Sequence, residues 1–152
     1  MTWDANLVLA DTTLDWNKTN TDSYGTPNST TRNDGGFIVL DLGAFGGTAV
    51  KGMVATFIAD EVANDSGDAL TLIIEASDQA DFSSELEVLA AFGIDGANGS
   101  GVIDGDETPC TISRIFSTNR RYIRCKATMA ASDDFKTCQV LLSPWGMGRS
   151  EA

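Results

Sequence analysis

The chain contains no histidine, and its 152 residues include only three cysteines, three prolines and 10 Lys and Arg. Without imidazole, Ser-His-Asp and Cys-His catalysis are excluded, as are histidine-ligated zinc sites. Cys110, Cys125 and Cys138 cannot all pair within one chain and offer no C-x-x-C spacing, so they read as reduced core thiols. The few cations face 22 Asp and Glu, a net charge of −12. That balance argues against nucleic acid as a partner, because phosphate neutralisation needs Lys and Arg, and equally against an anionic membrane surface. No apolar run approaches the roughly 18 residues of a membrane span. Met1-Thr2-Trp3-Asp4 lacks a basic segment ahead of an apolar one, so the protein is expected to be made and used without secretion. The N-x-[ST] sequons at Asn17, Asn28, Asn64 and Asn98 then reflect the abundance of Asn, Ser and Thr.

What is present is the material of one globular domain: 42% hydrophobic residues in a length that buries roughly 68–70% of its unfolded surface. Thr, Asn, Asp, Ser and Gly dominate Asp11 to Gly36, a composition that competes with regular structure and predicts a long surface loop. Trp16 and Tyr24 within it are aromatics that a free linker seldom carries, so parts of this arm are expected to dock. Leu7-Val8-Leu9 offers a short strand before it. The predicted organisation is an arm over residues 1–35 packed on the domain, a β-sandwich over 36–146, and a tail over 147–152.

Seven short apolar runs bounded by turn residues alternate as half-buried strands do. Ile38, Leu40 and Leu42 share one face of Gly36–Leu42; Met53, Ala55, Phe57 and Ala59 share one face of Gly52–Asp60; Leu70, Leu72, Ile74 and Ala76 share a third. Asp78 to Phe92 fits an amphipathic helix through Phe82, Leu86, Leu89 and Ala90. It also fits a polar turn to Ser84 followed by a strand with Leu86, Val88, Ala90 and Phe92 inward, which is the reading adopted. The glycine-rich run Ile94–Pro109 reads as a loop with at most a short strand near Val102-Ile103. Thr111–Ser117, Arg121–Ala130 and Thr137–Ser143 read as an antiparallel meander, the middle run facing inward with Ile123, Cys125, Ala127 and Met129. Short strands, many turns and no long helix predict an all-β antiparallel sandwich of jelly-roll type, with an immunoglobulin-like layout as the other candidate.

Each motif with chemical potential has a plain structural reading beside it. Asp104-Gly105-Asp106-Glu107, with Asp95 and Asn98, presents oxygen ligands, yet the EF-hand spacing fails at Ala97 and Gly99; a solvated acidic turn is expected rather than calcium. Asp60, Glu61, Asp78, Asp81, Glu85 and Glu87 supply carboxylates for a glycosidase pair, but spacing along a chain does not set a distance across a cleft. The glycines form neither dinucleotide nor P-loop signatures. No catalytic, cofactor or metal site is therefore expected. Half of the 10 cations, Arg114, Arg120, Arg121, Arg124 and Lys126, fall within 13 positions. They mark either the wet face of one strand or a patch for an acidic partner. Candidate protein-interface residues are Trp16, Tyr24, Arg120, Arg121, Tyr122, Arg124, Lys126 and Trp145, with Trp145 equally able to close one end of the core.

Three segments, Gly36-Phe37-Ile38-Val39-Leu40-Asp41-Leu42-Gly43, Glu75-Ala76-Ser77-Asp78 with Phe82-Ser83, and Arg121-Tyr122-Ile123-Arg124, occur in an order that resembles the capsid cement proteins of short-tailed bacteriophages, including the Bordetella phage type. The resemblance spans roughly Gly36 to Ser143. It implies a non-enzymatic jelly-roll protein that self-associates, as a dimer in that type. It also implies a place on the outer surface of the virion capsid, where the protein would tie neighbouring major capsid proteins together after synthesis in the host cytoplasm. A jelly-roll carbohydrate-binding module of a virion, holding glycans through Trp16, Tyr24 or Trp145 with or without calcium, is the alternative.

Overall fold

A computed structural model of the chain describes residues 7–10, 15–17, 38–43, 52–93 and 102–144. These form nine strands: β1 (Val8–Ala10), β2 (Val39–Asp41), β3 (Met53–Ala59), β4 (Ala69–Ser77), β5 (Glu87–Ala91), β6 (Val102–Asp104), β7 (Cys110–Phe116), β8 (Tyr122–Met129) and β9 (Cys138–Pro144). A 3-10 turn, Gly105–Glu107, separates β6 from β7. Every strand pairing is antiparallel.

Two sheets result: β1-β9-β3-β7, here sheet one, and β2-β8-β4-β5, here sheet two, with β6 also on β4. β5 and β6 are halves of one interrupted strand. β5 pairs with 73–76 of β4 and β6 with 69–71, and between them the Phe92 amide donates to the Leu72 carbonyl at 3.0 Å. Counted as one, they leave eight strands in which first pairs with last, second with seventh, third with sixth and fourth with fifth. This is the pairing of a jelly roll.

The alternation read from the sequence places the core correctly. Ala55, Phe57, Leu70, Leu72, Ile74, Ile123, Cys125, Ala127, Val140 and Leu142 fill the space between the sheets, and Ile38 joins them. Each fully buried Leu or Ile contributes roughly 1.5–3 kcal/mol of transfer free energy, which is why alternation dictates the buried face so strongly. None of the three cysteines is in a disulfide, and Cys125 and Cys138 are buried. Cys110 and Cys138 flank Ala59 from opposite sides. Two strand spacings, roughly 10 Å, separate them, beyond disulfide reach. Burial raises the Cys138 thiol pKa far above its ordinary value, with the same effect, smaller, at Cys110.

Four expectations need correction. The last three strands are not a meander: β7 pairs with β3, β8 with β4 and β2, and β9 returns to sheet one between β1 and β3. Alternation reports which face of a strand is buried, and in a sandwich that is the same for either sheet. The strand at 86–92 does not point Leu86 and Val88 inward; they are 55% and 62% exposed. A register shift opposite Ile74 and Glu75 pairs Ile74 with Ala90 but Glu75 with Val88, so the extra residue, Leu89, reverses the alternation. The helix alternative for this segment is likewise not formed. The sandwich also begins before residue 36, because β1 is a strand of sheet one. Finally, Trp16 is a core residue. It is fully buried, its ring lies 5.8 Å from that of Phe57, and its backbone exchanges hydrogen bonds with Lys136 and Phe135.

Candidate protein-interaction surfaces

The alternating strand directions gather connections at two ends. At one end, Asp41, the 78–87 segment and the 117–121 turn meet, and the arginines of the cationic cluster are all committed there. Arg121 holds Asp41 through two hydrogen bonds of 2.9 and 2.8 Å. Arg120 pairs with Asp78 and lies 3.8 Å from both Glu85 and Glu87. Arg124 bonds Glu75 at 2.6 Å, the side chains being only 14% and 4% exposed. The Arg121 guanidinium holds Asp41 below the usual carboxylate range, and Arg120 does the same for Asp78. Reciprocally, Asp78 and Asp41 raise the two arginines. Arg114 sits on the inward face of β7, donating to the carbonyls of Ala91 and Gly93 at 2.9 Å each and so tying the edges of the two sheets. Each of the four arginines of this framework is therefore engaged within the chain, with the Arg120 and Arg121 side chains still 32% and 42% exposed.

The connection from β4 to β5 folds over the outer face of sheet two. Ser77 donates to the Ser84 carbonyl at 2.7 Å and accepts from the Gln79 amide at 2.9 Å. This holds buried Phe82 with its ring 4.1 Å from the Arg124 guanidinium carbon. Phe82 and Glu85 both have left-handed backbone, φ 54° and 56°, a conformation uncommon for such side chains. The result is a small second core outside sheet two, in which Glu75 and Arg124 are stacked beneath an aromatic lid. Three segments far apart in sequence, around Asp41, Glu75–Phe82 and Arg121–Arg124, thus meet at one corner. These are the segments that carry the family resemblance.

The opposite end is acidic. Two buried carboxylates staple its connections together. Asp68 accepts from the amides of Asp65 at 3.1 Å and Asp134 at 3.2 Å; Asp133 accepts from Ala130 at 3.0 Å and Ala69 at 3.3 Å. Thr108 accepts from the Ala63 amide and donates to the Gly105 carbonyl, joining the 3-10 turn to the same unit. Gly105 is required by the close approach, since a Cβ there would stand 2.2 Å from the Asp65 carbonyl oxygen. Outward from this frame, Asp60, Glu61, Asp65, Asp104 and Asp106 are exposed. Lys136, whose ammonium feels the charge of Glu61, is paired with Asp134 at 2.8 Å. Among the described residues no group of three or more Asp, Glu or Cys is arranged to hold a metal ion. Asp95 and Asn98 lie outside the described residues.

The outer face of sheet one is different again. Its pairings set Val54 beside Ile115 and Ser143, Thr56 beside Ser113 and Leu141, Ile58 beside Thr111 and Gln139, and Val8 beside Leu141. None of these carries a charge, in a chain where 21% of residues do. Leu141 is buried; exposure grows toward β7, where Ile115 is 56% exposed and Thr111 and Ser113 are open.

Of the residues singled out from the sequence, Arg120, Arg121, Tyr122 and Arg124 come together at the framework corner, the Tyr122 ring 4.9 Å from the Arg121 guanidinium carbon. Lys126 stands on the outer face of β8 opposite Ile73. Trp16 is in the core, and Tyr24 and Trp145 lie outside the described residues. Alternation left Asp41, Glu75 and Asp78 as solvated charges because it does not tell which strand lies beside which. The uncharged outer face was signalled by Val54, Thr56 and Ile58 and by Thr111, Ser113 and Ile115, whose lack of charge is visible in the sequence. No family model, no curated protein and no solved structure matches this chain.

Proposed function

We propose that this protein is a capsid cement, or decoration, protein that binds the outside of a phage head and bridges neighbouring major capsid proteins. The observation that carries the reading is the division of the surface. A pre-stapled acidic end, held by Asp68 and Asp133, lies on the same rigid sandwich as an uncharged sheet face. A preformed, two-sided block loses little conformational freedom on binding and can touch more than one neighbour. The resemblance carried by the segments that converge around Asp41, Glu75 and Arg121 supports the same reading. Because the arginines are consumed internally, the shell contact is assigned to the acidic end and the complementary surface on the shell is basic.

Purified protein added to undecorated heads tests this directly. Binding should raise their thermal or osmotic resistance, weaken with added salt, and fall on changing Asp60, Glu61 and Asp106 together to Lys. Absence of binding, or binding that leaves the resistance of the heads unchanged, overturns the proposal. The carbohydrate-binding alternative no longer has Trp16 to offer, since that ring is buried. Saturable binding to a glycan array would restore it.

A further inference from the structure

We infer that the connection from β4 into β5 is a second docking surface, at the end of the molecule opposite the acidic one. Its occupant is a segment of another protein that carries apolar side chains between lysines or arginines. The inference rests on the decoration reading for its biological role, since a molecule that bridges two neighbours needs two contact surfaces; its chemistry stands on the connection itself. Among the described residues four large apolar side chains are exposed, and two of them, Leu86 and Val88, are two positions apart. Val88 pairs with Glu75 and so stands on the outer face of sheet two, beside the Phe82 lid. By the alternation of extended chain Leu86 falls on the same side. The register shift puts them there: Ala90 faces inward opposite Ile74, and without the extra residue Val88 would face inward too. Bulges re-aim side chains in this way beside binding sites.

The display is also preformed. Phe82 and Glu85, on either side of the Ser83-Ser84 turn, both hold left-handed backbone, a strain that persists only where surrounding contacts over-determine it and that gathers at binding sites. Those contacts are the Ser77–Ser84 bond, the Ser83 amide on Asp81 at 3.0 Å, and Arg120 near Glu85 and Glu87. A surface ordered in advance gives up little freedom on binding. Charge selects the occupant. Asp78, Asp81, Glu85 and Glu87 rim the apolar pair and are all exposed. Arg120 answers three of them alone, while Arg121 and Arg124 are matched by Asp41 and Glu75, so negative charge remains in excess. A second copy of this chain would bring carboxylates against carboxylates, and an anionic lipid surface would be repelled in the same way. A segment with lysine or arginine flanking apolar residues meets both the rim and the pair within it.

A labelled short peptide of alternating lysine and leucine, titrated into the full chain at low salt, tests the surface. Fluorescence anisotropy should report binding, and amide NMR signals of 82–88 should shift with it. Raising ionic strength from about 0.01 to about 0.1 M should weaken the complex as the Debye length falls from ~30 to ~10 Å. Leu86→Gln with Val88→Thr should weaken it about tenfold. Both side chains are largely exposed, so the melting temperature of that double variant should match the native one. Peptides of lysine with serine, or of glutamate with leucine, should bind far less well. Shifts confined to the acidic end, equal binding of the lysine–serine peptide, or unchanged binding by the double variant overturns the inference. On undecorated heads the double variant should still attach through its acidic end but confer less resistance. A double variant that protects heads fully would overturn this inference and leave the decoration reading standing; native protein that binds the peptide at 82–88 and ignores heads would do the reverse.

Discussion

Sheets one and two bury the same kind of side chain inward and differ in what they do outward. On sheet two, the outer face carries Asp41, Glu75, Arg124 and Lys126, and the 78–86 connection folds back over part of it. On sheet one, the outer face carries Val, Thr, Ser, Ile, Gln and Leu and no charge. Charged residues are usually the solvated exterior of a sandwich, yet here the charged face is the one the chain covers for itself. Ion pairs that satisfy one another can be buried beneath a lid, whereas an uncharged face has no internal partner to seek. Among the described residues, that uncharged face is most exposed along β7, where Ile115 is 56% exposed.

If this contrast is correct, substitutions on the two outer faces should have unequal costs. The largest effect belongs to Glu75→Ala, which leaves the Arg124 charge buried and unpaired; a loss of about 3 kcal/mol in urea unfolding is expected. Replacing both, Glu75→Leu with Arg124→Met, should recover most of it, since a well-packed apolar pair avoids the desolvation cost. Next comes Phe82→Ala, with a loss of about 2 kcal/mol as the lid is removed. Phe82 sits at φ 54°. Phe82→Gly should therefore be more stable than Phe82→Ala, the reverse of the order found at ordinary positions. On sheet one, Ile115→Thr should shift stability by no more than about 0.5 kcal/mol. An Ile115→Thr cost comparable to that of Phe82→Ala would erase the distinction between the faces.

The fold was largely legible because alternation of Met53 to Ala59, Leu70 to Ala76 and Ile123 to Met129 is enforced by burial, and a one-residue slip would put each set in water. The jelly-roll type was legible only as a class. Which strand lies beside which depends on pairings such as Val39 with Arg124 and Glu75 with Arg124, which join residues distant in sequence. The bulge at Leu89 was hidden because Leu86, Val88, Ala90 and Phe92 make a consistent apolar set until one residue is looped out. The site was less legible than the fold. Arg120, Arg121 and Arg124 stood out as a cationic cluster, but net cationic character depends on where Asp41, Glu75, Asp78, Glu85 and Glu87 are placed, and these come from three other segments. Trp16 looked like an interface anchor for want of any alternating neighbours; its partner in the core, Phe57, lies on a strand 41 positions away.

The smallest effect is a dependence on acid, and it separates the exposed framework pairs from the general charge of the molecule. Asp41 and Asp78 have pKa values lowered by their arginine partners. A carboxylate with a folded pKa below its unfolded one contributes stability above the unfolded value, near 3.9, and loses it as pH falls through the folded value. Protonating the remaining acidic groups works in the opposite direction, because it relieves the self-repulsion of a chain at −12. The melting temperature of the native protein alone therefore mixes two trends of opposite sign. The difference between native protein and Asp41→Asn isolates the pair: Asp41→Asn should melt lower at neutral pH, and the gap should close below about pH 4 as the native carboxylate protonates. Asp78→Asn should behave alike. A gap that stays constant across this range would mean that the Arg121–Asp41 geometry acts through hydrogen bonding that a neutral side chain supports equally well, and the outer face of sheet two would then owe little to charge.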